Sequence, residues 1–201
     1  MTTCRSTLSA LCAAALIMYV PATAAAQTQP TPSELQKLLD SLRPTTEHKD
    51  LAQLEGRWTI EGTFLMGGPP MKTTGTVTNR MILDGRFLVS EGTSNNPSGF
   101  GDPTIGLMTI YGFDRRTSDF TIVAFDTMGT YYVTAAGKKD ANRRIVMAGE
   151  TLEHEGGTAA TRKYDMTLTI VDANTYQTEV IFKFPGQPDQ TIMSLTHRRV
   201  R

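Results

Sequence analysis

The chain has 201 residues, 20 basic and 20 acidic side chains, and a hydrophobic fraction of 39%. That apolar content excludes an intrinsically disordered chain, and the length suits about one domain. A formal charge of zero supplies no overall basic field for a phosphate backbone or an anionic membrane surface, so nucleic acid is not an expected partner.

Residues 1–26 read as a secretory signal peptide. Their one charge is Arg5, the apolar run Leu8 to Val20 follows, and Pro21 leads into Ala22-Thr23-Ala24-Ala25-Ala26, an A-x-A site with cleavage expected before Gln27. The run falls short of the roughly 18 residues a spanning helix needs, so no stable membrane anchor is expected after cleavage. The expected location is secreted, in the periplasm. Cys4 and Cys12 both lie in this leader, which leaves the mature chain without disulfides, thiolate ligands or cysteine nucleophiles. Loss of Arg5 gives the mature chain one net negative charge.

Residues 27–45 form a spacer, QTQPTP, and a short amphipathic helix. Ser33 is the expected cap, Leu35, Leu38, Leu39 and Leu42 fall at i, i+3, i+4 and i+7, and Pro44 is the stop. One leucine stripe implies docking: the expectation is a helix lying on the domain that follows, with a partner-binding helix as the alternative. A second capped turn near Thr46 carries Leu51 and Leu54 toward Gly56.

The domain proper spans 46–201, and from Arg57 its period changes to two. Trp58, Ile60, Gly62 and Phe64 alternate with Arg57, Thr59, Glu61 and Thr63, which predicts a strand with one face on a core. The pattern recurs, giving expected strands near 57–65, 71–82, 86–94, 104–113, 118–126, 130–137, 143–151, 162–171, 175–184 and 190–200. Asp84-Gly85, Asn95-Asn96-Pro97, Asp172-Ala173-Asn174 and Pro185-Gly186 supply turn chemistry between them. The links are too short for parallel crossovers, and ten consecutive antiparallel strands must hide two edges. The fold class is therefore all-β: an up-and-down antiparallel barrel of about ten strands with a short N-terminal helix. Eight strands already enclose room for one small ligand, so ten are expected to leave a cavity.

Parity places Trp58, Phe64, Phe87, Val89, Phe120, Tyr164, Tyr176 and His197 on the inner face. Asp126 shares the parity of Phe120 and Ile122 and opens Asp126-Thr127-Met128-Gly129-Thr130, a turn in which Gly129 is expected to supply a positive φ. A tight-turn role explains most of this group; the alternative is a carboxylate projected into the barrel mouth. The candidate ligand-binding residues are thus Trp58, Phe64, Phe87, Phe120, Asp126, Met128, Tyr164, Tyr176 and His197.

These residues carry a resemblance. The stretch from Glu47 to Trp58, then Thr63 to Gly68, Ile82-Leu83-Asp84-Gly85-Arg86-Phe87-Leu88, Tyr111-Gly112-Phe113-Asp114 and Asp126 to Thr130, in this order and spacing, is similar to the domain-of-unknown-function 1579 family over roughly residues 46–200. The resemblance implies a calycin-like barrel, related in shape to lipocalins and nitrobindins, and carries no catalytic residues. Ala124 stands where the family's tryptophan is expected, two residues before Asp126. Gly56-Arg57-Trp58 also resembles the G-x-W signature of lipocalins, in which the indole plugs a barrel end under an arginine from the last strand; Arg198 or Arg199 suits that place.

The three histidines are distributed singly: His48 in the N-terminal cap, His154 in the charged loop Glu153-His154-Glu155-Gly156-Gly157, and His197 pointing inward near the end of the last strand. A nitrobindin-like barrel would use such an inward histidine to ligate haem; a hydrogen-bonded structural histidine is the commoner reading. No H-E-x-x-H or paired histidines occur, so no dedicated metal site is expected, and Met66 and Met71 are read as core filling. No G-x-S-x-G, phosphate loop or dinucleotide fingerprint is present. Ser94 to Pro103 has the composition of a flexible lid.

Three functional classes follow. The favoured one is a non-enzymatic binding module holding a small apolar or amphipathic molecule in the barrel. The others are a small cavity enzyme using Asp126 or His197 as acid or base, and an interaction protein docking through its leucine helix.

Overall fold

The computed structural model describes residues 30–65, 68–99, 101–155 and 158–201, with the backbone alone at 153–155 and 158. The leader, Met66, Phe100 and Gly156-Gly157 lie outside the described residues. Two helices, α1 (Pro32–Ser41) and α2 (Thr46–Ala52), precede ten strands: β1 (Gly56–Phe64), β2 (Met71–Ile82), β3 (Phe87–Asn95), β4 (Thr104–Asp114), β5 (Asp119–Asp126), β6 (Tyr132–Lys139), β7 (Ile145–Glu155), β8 (Thr158–Asp172), β9 (Thr175–Lys183) and β10 (Gln190–Arg199). Each strand pairs antiparallel with its sequence neighbours, and β1 closes on β10, so the sheet is an up-and-down barrel with no edge. No helix among the described residues is long and apolar enough to cross a membrane.

The two ends of the barrel differ. At one end α2 lies across the opening and drives Leu51 and Leu54 into the core, each 1% exposed. Burying a leucine side chain stabilises by roughly 1.5–3 kcal/mol, which is ample to hold a helix of two turns in place. Asp50 of α2 pairs with Lys139 at the end of β6, and His48 stands edge-on to Phe113. Beneath this cap Trp58, Phe120, Ile145, Met147 and Leu168 are nearly fully buried. Among the described residues no helix covers the other end, where β1, β3, β5, β7 and β9 finish.

Local chemistry differs from expectation in four places. The N-cap of α1 is Thr31 rather than Ser33: its hydroxyl accepts from Glu34 N at 3.3 Å while Glu34 Oε2 accepts from Thr31 N at 2.8 Å, and Pro32 takes the first helical position, where no donor is needed. The leucine stripe of α1 is not docked, since no residue of the helix is buried. Arg115 instead holds the helix by its last carbonyls, donating to Asp40 O at 2.7 Å and Arg43 O at 3.1 Å. Third, Glu153 to Glu155 are strand rather than loop. Beyond Gly149 and Lys163 the ladder of β7 and β8 has no lateral partners and continues as a two-stranded ribbon past the rim, His154 opposite Ala159. Backbone pairing alone sustains such a ribbon, so charged residues there are compatible with a strand.

The fourth difference concerns β3. Phe87 and Val89 are not inward: Leu88 and Ser90 are, opposite Met81 and Asn79 of β2. Three consecutive apolar residues, Phe87-Leu88-Val89, leave the alternation undetermined, and cross-strand partners, which share a face, decide it. Phe87 lies on the outer surface against Gly112, where an added Cβ would come within 2.9 Å of its ring.

Candidate functional site

The plugged end is built from the first and last strands. Gly56 has φ +123, which an L side chain rarely adopts, and a Cβ there would meet Arg199 Nη1 at 2.6 Å. The chain thereby turns into β1 so that Trp58 enters the barrel axis, its Nε1 donating to Leu54 O at 2.8 Å and its ring edge-on to Tyr176 at 4.7 Å. Arg199 lies over the indole at 4.1 Å and donates to Gln53 O, Glu55 O and Ala173 O, so one guanidinium ties the cap, the indole and the β8–β9 turn together. The tryptophan and arginine plug resembling that of lipocalins is present, with Arg199 in the arginine's place.

Above the plug the barrel contains a cavity of about 300 Å³. Its lower wall is Tyr176, Thr178, His197 and Tyr111; its middle is Ile60, Val77, Ser90, Thr109, Ile122, Ala124, Val133, Tyr164, Met166, Val180 and Leu195; toward the uncapped end it is bounded by Phe64, Leu107, Phe125, Asp126, Tyr131, Thr151, Phe182, Ile192 and Met193. A register shift between Thr191 and Met193 turns both Ile192 and Met193 to this wall. The family's expected tryptophan would stand at Ala124, in the middle of the wall. The small side chain there leaves space that an indole would take.

Of the nine sequence candidates, Phe64, Asp126, Tyr164, Tyr176 and His197 line the cavity and four do not. Trp58 is beneath the floor as the plug. Phe120 is also below it, 5.0 Å from Phe113 and beside α2. Phe87 is outside because of the β3 parity, and Met128 sits on the exposed turn after β5. Among the lining residues not singled out as candidates are three hydroxyls on one wall, Ser90, Thr109 and Tyr111. For Thr109 and Tyr111 the signal was a hydroxyl at an inner parity position of β4, which a search for apolar residues passes over; Ser90 was hidden by the parity assigned to Phe87 and Val89.

The electrostatics are those of a neutral interior. His197 donates to or accepts from Thr178 Oγ1 through Nε2 at 3.1 Å, stacks on Tyr176 at 3.9 Å, and its Nδ1 is buried with no hydrogen-bond partner among the described residues. Burial pushes its pKa down to about 3, so the imidazole is uncharged near neutral pH. Burial pushes Tyr176 up to about 12, partly offset by the hydrogen bond from Asn79 and the charge of Arg199. Tyr111 and Tyr164 are raised by burial as well. Tyr164 is held by donating to Thr134 O at 2.9 Å. The single carboxylate on the described lining is Asp126, and no lysine or arginine is among the lining residues.

Asp126 serves the turn and the mouth together. Its Oδ1 accepts from Met128 N at 2.8 Å, while Thr127 Oγ1 accepts from Gly106 N at 2.9 Å and fastens the turn to β4. Gly129 does not have the expected positive φ; its role is space, since a Cβ would come within 2.3 Å of the Tyr131 ring folded over it. Ser94 to Pro103 is closed on itself by Asn96, whose amide donates to Asp102 O at 2.9 Å, and none of its described residues lines the cavity.

This geometry separates the two residues considered for acid and base chemistry. Asp126 is at the rim, and His197 is at the plugged end with one nitrogen engaged and the other sealed by packing. Haem ligation by His197 does not suit the residues present, for the same reason and because one face of the ring is covered by Tyr176. No cluster of three or more His, Cys, Asp or Glu that could hold a metal occurs among the described residues.

The fold and the cavity define a ten-stranded barrel plugged at one end and hollow above the plug. The chain belongs to the DUF1579 family, described as a protein of unknown function, whose model matches residues 43–199. No curated protein matches the chain.

Proposed function

We propose that the protein is an exported binding module that holds a small apolar or amphipathic molecule inside the barrel. The observation that carries this reading is the cavity itself: about 300 Å³, lined mainly by aliphatic and aromatic side chains, floored by the buried Trp58 plug and covered at its other end by no helix among the described residues. Sites for small ligands are typically concave, largely apolar and preformed, with a few polar groups for orientation. At the roughly 30 Å³ that liquid water gives each molecule, the space suits a ligand of about ten non-hydrogen atoms. Export rests on the leader read in residues 1–26.

Naphthalene, whose size matches this volume, should saturate a single site per chain in a fluorescence titration. Ala124→Trp, which fills the middle of the cavity, should abolish that binding while leaving a cooperative thermal transition. Absence of saturable binding by the wild-type protein, of naphthalene and of its oxygenated analogues alike, would overturn the reading. Fractionation of cells expressing the full chain should recover a periplasmic form beginning at Gln27; a cytoplasmic form retaining Met1 would overturn export.

A further inference from the structure

Most inward polar groups of the barrel are already engaged with the protein. Thr73 donates to Asn95, Asn79 donates to Leu54 O and Tyr176, Thr178 pairs with His197, and Tyr164 donates to Thr134 O. Three hydroxyls on one wall are different. Ser90 of β3 is directly opposite Thr109 of β4, and Tyr111 follows two residues along the same face of β4. All three line the cavity, Ser90 and Tyr111 are each 8% exposed, and none hydrogen-bonds another described residue. Thr151, also unbonded, lies up at the rim beside the β7–β8 ribbon.

Hydroxyls that face the cavity without a protein partner must be satisfied by whatever fills it, and covering each with an apolar group costs roughly 1–3 kcal/mol, so three on one wall favour an occupant with a polar group. Two chemical facts restrict what that occupant is. Each hydroxyl both donates and accepts, which suits an uncharged oxygen function such as an alcohol or a carbonyl. An anion finds no opposite charge, because the described lining offers no lysine or arginine, and the single carboxylate, Asp126, lies one inner-face step beyond Thr109 toward the rim with its Oδ1 already accepting from Met128 N.

We infer that Ser90, Thr109 and Tyr111 form a polar strip that selects an uncharged ligand, its hydroxyl or carbonyl group set against the β3–β4 wall and its apolar body against β9 and β10. The inference rests on the binding reading above and deepens it by naming the ligand class and the residues that recognise it.

Naphthalene, naphthol and naphthoate share one ring system and differ in this group alone, so their affinities for the full-length mature protein test the strip. Naphthol should bind about tenfold tighter than naphthalene, and naphthoate more weakly than both. Ser90→Ala, Thr109→Val and Tyr111→Phe change little volume; combined, they should erase the naphthol preference and leave naphthalene affinity equal or improved. If naphthol and naphthalene bind the wild-type protein equally, or if the triple variant keeps the preference, the strip is overturned while the binding reading stands. Tighter binding of naphthoate than of naphthol overturns the neutral-ligand class. If none of the three binds, the binding reading itself falls.

Discussion

The plugged end and the hollow half of the barrel are made from the same ten strands, yet they treat polar groups in opposite ways. At the plug, Trp58 Nε1, the Asn79 amide and the Arg199 guanidinium all end on backbone carbonyls of the α2 to β1 segment, and α2 covers them. On the neighbouring wall Ser90, directly opposite Asn79, and Thr109 and Tyr111 of β4 line the cavity with their hydroxyls unbonded, and the rim carries exposed aromatics, Phe125, Tyr131 and Tyr132. The contrast sets an end whose polar groups are paired and whose apolar side chains are packed against a half whose wall faces a cavity.

Breaking the plug should have the largest effect. Trp58→Ala removes a ring that is 1% exposed and leaves a cavity under α2, for an expected loss of about 3–5 kcal/mol in urea unfolding. Arg199→Met keeps much of the stem but deprives three carbonyls of a charged donor and the indole of its cation; about 2 kcal/mol should be lost, by the same measurement.

Acid sharpens the comparison further. His197 has a folded pKa far below its unfolded value, so the unfolded chain binds the extra proton first; its contribution is complete above about pH 6.5 and is lost as pH falls toward about 3. Between pH 6.5 and 5, above the range of ordinary carboxylates, stability should drop by about 2 kcal/mol, at 1.36 kcal/mol per unit. His48, lowered by burial under the cap, adds in the same direction. His197→Gln should flatten most of that slope in unfolding curves taken at several pH values.

The smallest effect is expected at the far side of the cap. Removing residues 30–43 deletes α1, which buries no residue, and should change the unfolding free energy by less than about 0.5 kcal/mol.

The barrel was legible in the sequence because period-two alternation and turn residues are local signals; the strands were located from them, although β2, whose inner positions include Thr73, Gly75 and Asn79, gave no apolar face to read. Trp58 and its arginine were legible too, since glycine, indole and a terminal guanidinium make a recognisable unit. Phe87-Leu88-Val89 was not, because its facing is set by which residues of β2 and β4 stand opposite, a property of register. The leucines of α1 misled for a related reason: amphipathic spacing states that a face exists and says nothing of what covers it. The cavity residues were half legible. Aromatic and aliphatic inner positions advertise themselves, whereas Ser90 and Thr109 acquire meaning only when the register brings them side by side and leaves them unbonded.

The division between a solid end and a hollow half is tested most directly by methyl NMR during titration with naphthol. Methyl resonances of Leu107, Ile122, Val133, Val180 and Leu195, all on the cavity wall, should shift with one common saturation curve, while those of Leu51, Leu54, Ile145 and Leu168 stay fixed. Shifts centred on the second group, or no saturable shift in the first, would contradict the account.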